Sequence, residues 1–409
     1  MLIADFHIHS KYSRATSKQM DVEHLVEWAK LKGISLLGTG DFTHYLWLQE
    51  LKNKLKPVAN GLFSYAGINF ILTAEVSNIY SKDGRGRRVH NILFAPDFAT
   101  VDKINQELTG FGNLAADGRP MLGLDCPSLV EIVLGANPEC FIVPSHIWTP
   151  WYSLFGSNSG FDTIEECFEK YSKDIYALET GLSSDPAMNW RLSALDRFSL
   201  ISNSDAHSPS RLGREANVFN CAMDYYAILE ALKKKDKQRF LYTVEFFPEE
   251  GKYHYDGHRN CNILYSPAET RKKNNICPVC QRPLTVGVMH RVEQLGDRPE
   301  GFVLEGGIPF KNLIPLVEII AEAKGVGRAA RSVEREYRQL IQKLGNEFDI
   351  LLNISEEELT QTCAPRIACG ILNVRRAKVK ITPGFDGVYG KIDIFSEEDK
   401  KSEKQMTLF

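Results

Sequence analysis

The sequence predicts an α/β fold in which short strands alternate with helices and collect ionisable side chains at one end of the sheet. Three observations point there. Seven apolar runs have strand length, an amphipathic stretch separates the first two, and histidines or carboxylates close most of the runs. The runs cover residues 2–6, 34–37, 70–72, 89–94, 141–143, 175–178 and 198–201, several of them bounded by Gly, Pro, Asn or Asp. Between the first two lies DVEHLVEWAKLKG, which places Val22, Leu25, Val26 and Ala29 on one helical face, with Asp21 as N-cap and Gly33 beyond the C-terminus. That is a βαβ unit, and seven such strands fit either a (β/α) barrel or a doubly wound sheet. In both, ligands gather at the carboxyl ends of the strands.

The strand theme runs over residues 1–245. Residues 246–295 are short on apolar runs and rich in turn formers, which marks a small separate module. Residues 296–394 regain helical periodicity in NLIPLVEIIAEAKGVGRAARSVEREYRQLIQKLG and end in a β-like NVRRAKVKITPGFDGVYGKIDIF, a third, mixed helical and β region. Residues 395–409 read as a charged, disordered tail with an apolar tip.

Composition narrows the class of protein. The chain has 409 residues, 43% apolar and 25% charged, with a net charge of −3, which excludes disorder as its main state. Near-neutral charge gives no global attraction to nucleic acid, so such binding would rest on local basic patches: KDGRGRR, KKKDKQR, RKK and NVRRAKVK. No stretch nears the ~20 apolar residues that span a bilayer, and MLIADFHIHS lacks the layout of a secretion signal. The expected setting is the cytoplasm, without membrane contact. Nine cysteines are too few for a disulfide scaffold.

His7, His9, Asp41, Glu75, His90, His146, Asp205 and His207 supply imidazole and carboxylate donors, most of them at strand ends. This mixture suits zinc, manganese or iron. His7-x-His9 and Asp205-x-His207 each project two side chains to one side of an extended segment. Eight donors exceed one ion, so two or three clustered ions (Zn2+, Mn2+ or Mg2+) are expected, with Glu75 bridging a pair. Such a cluster supplies a nucleophile at neutral pH and clamps both oxygens of a phosphoryl displacement. His258, Cys261, Cys277 and Cys280 have the paired spacing of a structural Zn2+ site in a region with little core, with His254 as an alternative to His258.

DFHIHS and SNSDAH resemble the first and last motifs of the PHP superfamily, the polymerase and histidinol phosphatase metallohydrolases. The resemblance implies a distorted seven-stranded (β/α)7 barrel with a trinuclear site: His7, His9, Glu75 and Asp205 around one ion, Glu75, His90 and His146 around a second, and Asp41 with His207 around a third. Asp205, His7, His9 and Glu75 would be the catalytic set. TGDFTH departs from the usual Thr-Asp-His, which leaves Asp41 and His44 as competing ligands. The barrel followed by CPVCQRPLTVGVMHRV and TPGFDGVYGKI resembles the endonuclease Q family over nearly the whole chain. That resemblance implies a metal-dependent DNA repair endonuclease that nicks 5′ of uracil, hypoxanthine, xanthine and abasic sites in damaged DNA, with the base extruded into a pocket. Asn203, whose amide both donates and accepts, suits reading a base edge, with Ser183, Tyr12 and Arg88 as further pocket residues. Tyr253, Tyr255 and Arg259 could stack on exposed bases.

Gln405-Met406-Thr407-Leu408-Phe409 resembles the bacterial sliding-clamp binding motif, with Gln405, Leu408 and Phe409 as the anchors. The expected protein is a monomer associated with the nucleoid. A phosphatase acting on a small phosphorylated metabolite is the second reading. A DNA-binding adaptor that keeps a metal only for stability is the third.

Overall fold

The structure, a computed structural model, describes residues 1–58 and 60–396. All seven expected strands form: β1 (Leu2–Asp5), β2 (Leu36–Gly38), β3 (Ile68–Lys82), β4 (Arg85–Ala95), β5 (Phe141–Pro144), β6 (Ala177–Glu179) and β7 (Ser199–Ile201). The expected helix runs Val22–Lys32, with the Asp21 side chain accepting from the His24 N–H and Gly33 closing it in the left-handed region at φ 88°.

The architecture is mixed α/β, and its hydrogen-bond ladder is not the regular cylinder of a (β/α)7 barrel. β1 pairs parallel with β2 and β2 parallel with β3, all within one eleven-stranded sheet. β3 and β4 then form one long antiparallel hairpin with no helix between them. Asp83 and Gly84, at φ 53° and 73°, make its tight turn, the conformation that suits the right-handed twist of the flanking strands. β6 and β7 pair only with each other among the described residues. They are stitched to the rest by the Ile147 N–H donating to Glu179 O at 3.1 Å and by the Ile8–Ala206 bridge.

The strands nonetheless enclose a common interior. Ala4 and Phe6, Leu36, Ile71, Ile92 and Phe94, Phe141 and Val143, Ala177 and Ile201 belong to one buried cluster. Phe94 packs edge-on against Phe6 at 5.5 Å and against Phe141 at 5.8 Å. The outward residues of the same strands meet the helices in a second, larger core.

The segment 296–394 is divided between two places. Phe310–Asn312 pairs parallel with Phe240–Glu245 and so extends the main sheet. The hairpin of Lys380–Thr382 and Lys391–Asp393 leans on the cysteine-rich module, where Gly384 O accepts from the Tyr255 N–H at 2.9 Å. Between these parts lie the helices Leu316–Lys324, Arg331–Leu344 and Pro365–Arg375, next to the helix Val22–Lys32. There Lys32 forms a buried 2.7 Å ion pair with Glu347, which also accepts from Tyr337. No helix among the described residues is long and apolar enough to cross a membrane.

Candidate metal centre

Seven of the eight expected donors converge, five from segments that follow β1, β5 and β7 and two, Glu75 and His90, from the middle of β3 and β4. Three groups each place their ligand atoms within 4.8 Å of one another: His7, His9 and Glu75; His9, Asp205 and His207; Glu75, His90 and His146. The backbone is bent to achieve this. His146 and Asp205 lie at φ 29° and 47°, positive values that ordinary L residues avoid and that cluster at functional sites. The loop carrying Asp205 is pinned from below by Asp5, whose carboxyl accepts from Ser204 N–H and Gly213 N–H at 3.1 and 3.0 Å.

Glu75 is the hub. Its Oε2 lies 3.3 Å from Nε2 of both His7 and His9, while its Oε1 lies 2.8 Å from His90 Nδ1 and 3.1 Å from His146 Nε2. Asp205 Oδ1 completes the arc, 3.1 Å from His9 Nε2 and 3.6 Å from His207 Nδ1. Burial opposes ionisation of Glu75, but His90, Arg119 and His7 outweigh it and hold the carboxyl well below its ordinary value. Asp205 is likewise lowered, by His9 and His7 against its burial. Burial pushes His90 down to about 4, so it presents a neutral ring.

These residues fit divalent ions. His7 Nε2, His9 Nε2 and Asp205 Oδ1 are buried without a hydrogen bond, a costly state for polar atoms unless a cation is their partner. The imidazoles are also oriented for ligation. Glu179 accepts from His7 Nδ1 at 3.0 Å and Asp41 from His9 Nδ1 at 3.0 Å, which leaves each Nε2 lone pair facing inward.

Asp41 departs from the expectation that it ligates a third ion with His207. Its Oδ1 faces His9 Nδ1, and its Oδ2 accepts from Ser10 N–H at 2.6 Å, Ser10 Oγ at 2.7 Å and Ser13 Oγ at 2.9 Å. Through these bonds Asp41 holds the His9 ring, and it is not in any of the three donor groups. His44 stacks on Tyr12 at 4.5 Å with its Nδ1 buried and without a hydrogen bond, and it too is outside the three donor groups. His9, Asp205 and His207 form the third group instead.

Asn203 is a second correction. It is fully buried, its Oδ1 accepts from Phe6 N–H and Asn217 Nδ2, both at 2.9 Å, and its Nδ2 donates to Glu179 Oε1 at 2.9 Å. No edge remains to read a base; the amide props Glu179. Tyr12 sits in its stack on His44, away from the large cavity. Arg88 is exposed, its guanidinium 5.4 Å from the Tyr152 ring, which in turn lies 4.9 Å from His90. Ser183 lines a cavity of about 750 Å³ together with Trp151, Phe246, Tyr253 and His254. This cavity opens beside the metal centre: Thr149 on its wall contacts His146 Nδ1 at 3.1 Å, and Arg214 donates to Asp205 O at 3.3 Å.

Two site residues carry no motif in the sequence. Glu179 ends β6, and its strand-end position was the available signal. Arg119 lies in a loop and donates to Glu75 Oε2 at 3.0 Å, with no signal in its surroundings.

A further donor group lies in the cysteine-rich module. His258, Cys261, Cys277 and Cys280 place their ligand atoms within 4.8 Å, with Cys280 Sγ 3.4 Å from His258 Nδ1. His254 lies apart, stacked on Tyr255 at 5.2 Å and pushed down to about 4 by burial. The Cys277 thiol is raised by desolvation, but N–H groups of Cys280 and Val279 pull it down further, to about 6, as a thiolate ligand requires. Gln405, Leu408 and Phe409 lie outside the described residues.

The fold and the clustered donors define an enzyme with a divalent-metal site. Its relatives specify which. The structure matches the lesion-specific endonuclease PfuEndoQ from Pyrococcus furiosus with a TM-score of 0.85 and 31% identity over 98% of both chains. It matches an endonuclease Q in complex with a 27-mer duplex carrying an abasic lesion at the active site with a TM-score of 0.85 and 32% identity over 97% of both chains. The chain belongs to the endonuclease Q family. A family model described as the MJ0043 C-terminal domain matches residues 315–378. The uncharacterized protein MJ0043 of Methanocaldococcus jannaschii is 34% identical over 291 residues, 68% of this chain, which spans only 34% of that protein's length. The uncharacterized protein YqxK of Bacillus subtilis is 28% identical over 96% of this chain and 99% of its own.

Proposed function

We propose that this protein is a metal-dependent DNA repair endonuclease that nicks the phosphodiester 5′ of a deaminated base (uracil, hypoxanthine or xanthine) or an abasic site. The carrying observation is the whole-chain likeness, at TM-score 0.85, to an endonuclease Q that holds an abasic duplex at its active site. The lesion nucleotide is extruded, and the cavity of about 750 Å³ beside Asp205 is the candidate pocket, with Ser183 on its wall and Trp151 and Tyr253 available for stacking.

His7, His9, Glu75, His90, His146, Asp205 and His207 would hold divalent ions, which would supply a nucleophile at neutral pH and neutralise phosphate charge. The chain's own residues determine where this happens. Glu179 and Asp41 fix the rings of His7 and His9, Glu75 ties two donor groups together, and Arg214 anchors the Asp205 turn through its backbone oxygen. In the hydrolysis an oxygen from water bonds to phosphorus, the bond to the 3′ oxygen breaks, and that oxygen takes a proton. The products are a 3′-hydroxyl and a 5′-phosphate.

Zn2+ on His258, Cys261, Cys277 and Cys280 fastens the cysteine-rich module, and Gln405, Leu408 and Phe409 anchor the protein to a bacterial sliding clamp. The enzyme acts as a monomer in the cytoplasm, at the nucleoid.

The test is a labelled duplex carrying one deoxyuridine, deoxyinosine or abasic site, incubated with Mg2+, Mn2+ or Zn2+ beside an undamaged duplex and a small phosphate ester. Lesion-dependent nicking supports the reading. Hydrolysis of the ester with every duplex left intact would replace it with the metabolite phosphatase.

A further inference from the structure

Arg119 is a cation that the metal ligands do not require. It enters the centre from the loop before the short strand Met121–Leu122, and its Nη1 donates to Glu75 Oε2, the oxygen that also faces His7 and His9. Its charge reaches beyond Glu75, since Asp205, His90 and His207 all sense it. Through Glu75, Arg119 touches two of the three donor groups.

The loop is built to hold the guanidinium there. Gly118 donates its N–H to Tyr12 O and accepts from Thr43 Oγ1, each at 3.2 Å, and the Arg119 N–H donates to Asp117 Oδ1 at 3.2 Å. Pro120 O accepts from Ser77 N–H at 2.9 Å. A Cβ at Gly118 would stand 2.2 Å from Asp41 Oδ2 and 2.3 Å from Ser13 Oγ, so only glycine lets the loop press this closely on the residues that orient His9. Arg119 is thus placed by the same residues that place the metal ligands.

The guanidinium has donors to spare. Arginine carries five N–H groups in a planar fork that matches phosphate oxygens, and the single side-chain bond here is to Glu75. The Arg119 side chain is 29% exposed, whereas Glu75, to which it donates, is 0% exposed, so the arginine is the partner that solvent reaches. Ions bound by Glu75 would compete for Oε2 and free the remaining Nη1 donor as well.

We propose that Arg119 binds a non-bridging oxygen of the scissile phosphate and stabilises the charge that gathers on it as the P–O bond breaks. The assignment rests on the phosphodiester-cleaving reading above. It makes Arg119 a catalytic residue supplied by the chain, in addition to whatever the ions contribute.

The test compares the wild type with Arg119→Ala and Arg119→Lys in three readouts: single-turnover nicking of a lesion duplex, metal content per chain by elemental analysis, and nicking of each phosphorothioate diastereomer at the scissile position. Loss of one preorganised donor to a developing oxyanion costs ~10²-fold or more in rate. Arg119→Ala is expected to show that loss with unchanged metal content, and Arg119→Lys to recover part of it. The diastereomer that wild type disfavours should be less disfavoured by Arg119→Ala. A rate within a few-fold of wild type, or a fall in metal content parallel to the fall in rate, overturns the assignment. A wild type that nicks no duplex overturns the reaction and this assignment together, whereas a nicking wild type with an equally fast Arg119→Ala overturns the assignment alone.

Discussion

Glu179 grips His7 at Nδ1 with both carboxylate oxygens, at 3.0 and 3.1 Å, although the two residues are 172 positions apart in the chain. The same carboxylate accepts from His146 N–H at 2.8 Å and from Asn203 Nδ2 at 2.9 Å. Three donors converge on one acceptor, so an amide there would turn an N–H toward another N–H. Glu179→Gln should therefore lower metal affinity and nicking by about 10–100-fold, as loss of such orienting partners does elsewhere. Calorimetric titration of the metal-stripped protein checks this, and wild-type affinity in Glu179→Gln would show that Glu179 only fills space.

Glu245 gives a pH dependence that is separate from the metal ligands. Burial and Asp185 push its carboxyl up to about 8, against the hydroxyls of Thr243, Thr180 and Ser202 that donate to it. The folded chain therefore keeps a proton that the unfolded chain, with the ordinary carboxyl value of about 4.5, has released. The resulting stability is complete below about 4.5 and is lost as pH rises through about 8. Glu245→Gln is neutral throughout, so its Tm relative to wild type should climb between pH 5 and 8.5. The expected size is at least about 2 °C, the shift that roughly 1 kcal/mol produces in a domain of this scale. A flat Tm difference across that window contradicts the protonated state.

The cysteine-rich module should depend on its ion. Metal binding and folding are one equilibrium in small regions without a core. Cys280→Ser is expected to lose about one equivalent of zinc per chain, as one closed four-ligand site implies. It should also become the first point of attack in limited proteolysis between residues 258 and 285, while ellipticity from the mixed α/β region persists. Retention of that zinc equivalent would remove Cys280 from the ligand set.

Removal of residues 405–409 should abolish retention on an immobilised bacterial sliding clamp and leave nicking of a naked duplex unchanged. Undiminished retention would assign the clamp contact, if any, to another surface.

Much of the centre was legible because ligands at the end of a strand leave a local trace. His7-x-His9 and Asp205-x-His207 each fall just past an apolar run, and Cys277-Pro-Val-Cys280 folds as a knuckle within four residues. The Asp83–Gly84 turn was equally local, and it makes β3 and β4 a hairpin where a uniform βα repeat had been expected. The residues that orient the ligands left a fainter trace, for Glu179 only its place at the end of β6 and for Arg119 none. Glu179 and Arg119 reach the centre through contacts between distant segments, and neither lies in a repeated spacing. Asn203 and Asp41 show the converse. An amide that can read a base can equally prop a carboxylate, and a carboxylate that can bind an ion can equally hold a histidine. Residue type cannot separate those uses, because burial and the direction of each lone pair decide them.

The central claim is that the clustered donors cut DNA at a lesion, and the most direct measurement is the position and chemistry of the nick. A duplex with a single deoxyuridine, treated with the metal-loaded protein and analysed by mass spectrometry, should yield a 3′-hydroxyl on the fragment immediately 5′ of the lesion and a 5′-phosphate on the lesion nucleotide. The products should vanish with chelator and in Asp205→Ala. Cleavage that ignores the lesion, or that persists in Asp205→Ala with the chelator present, would contradict the account.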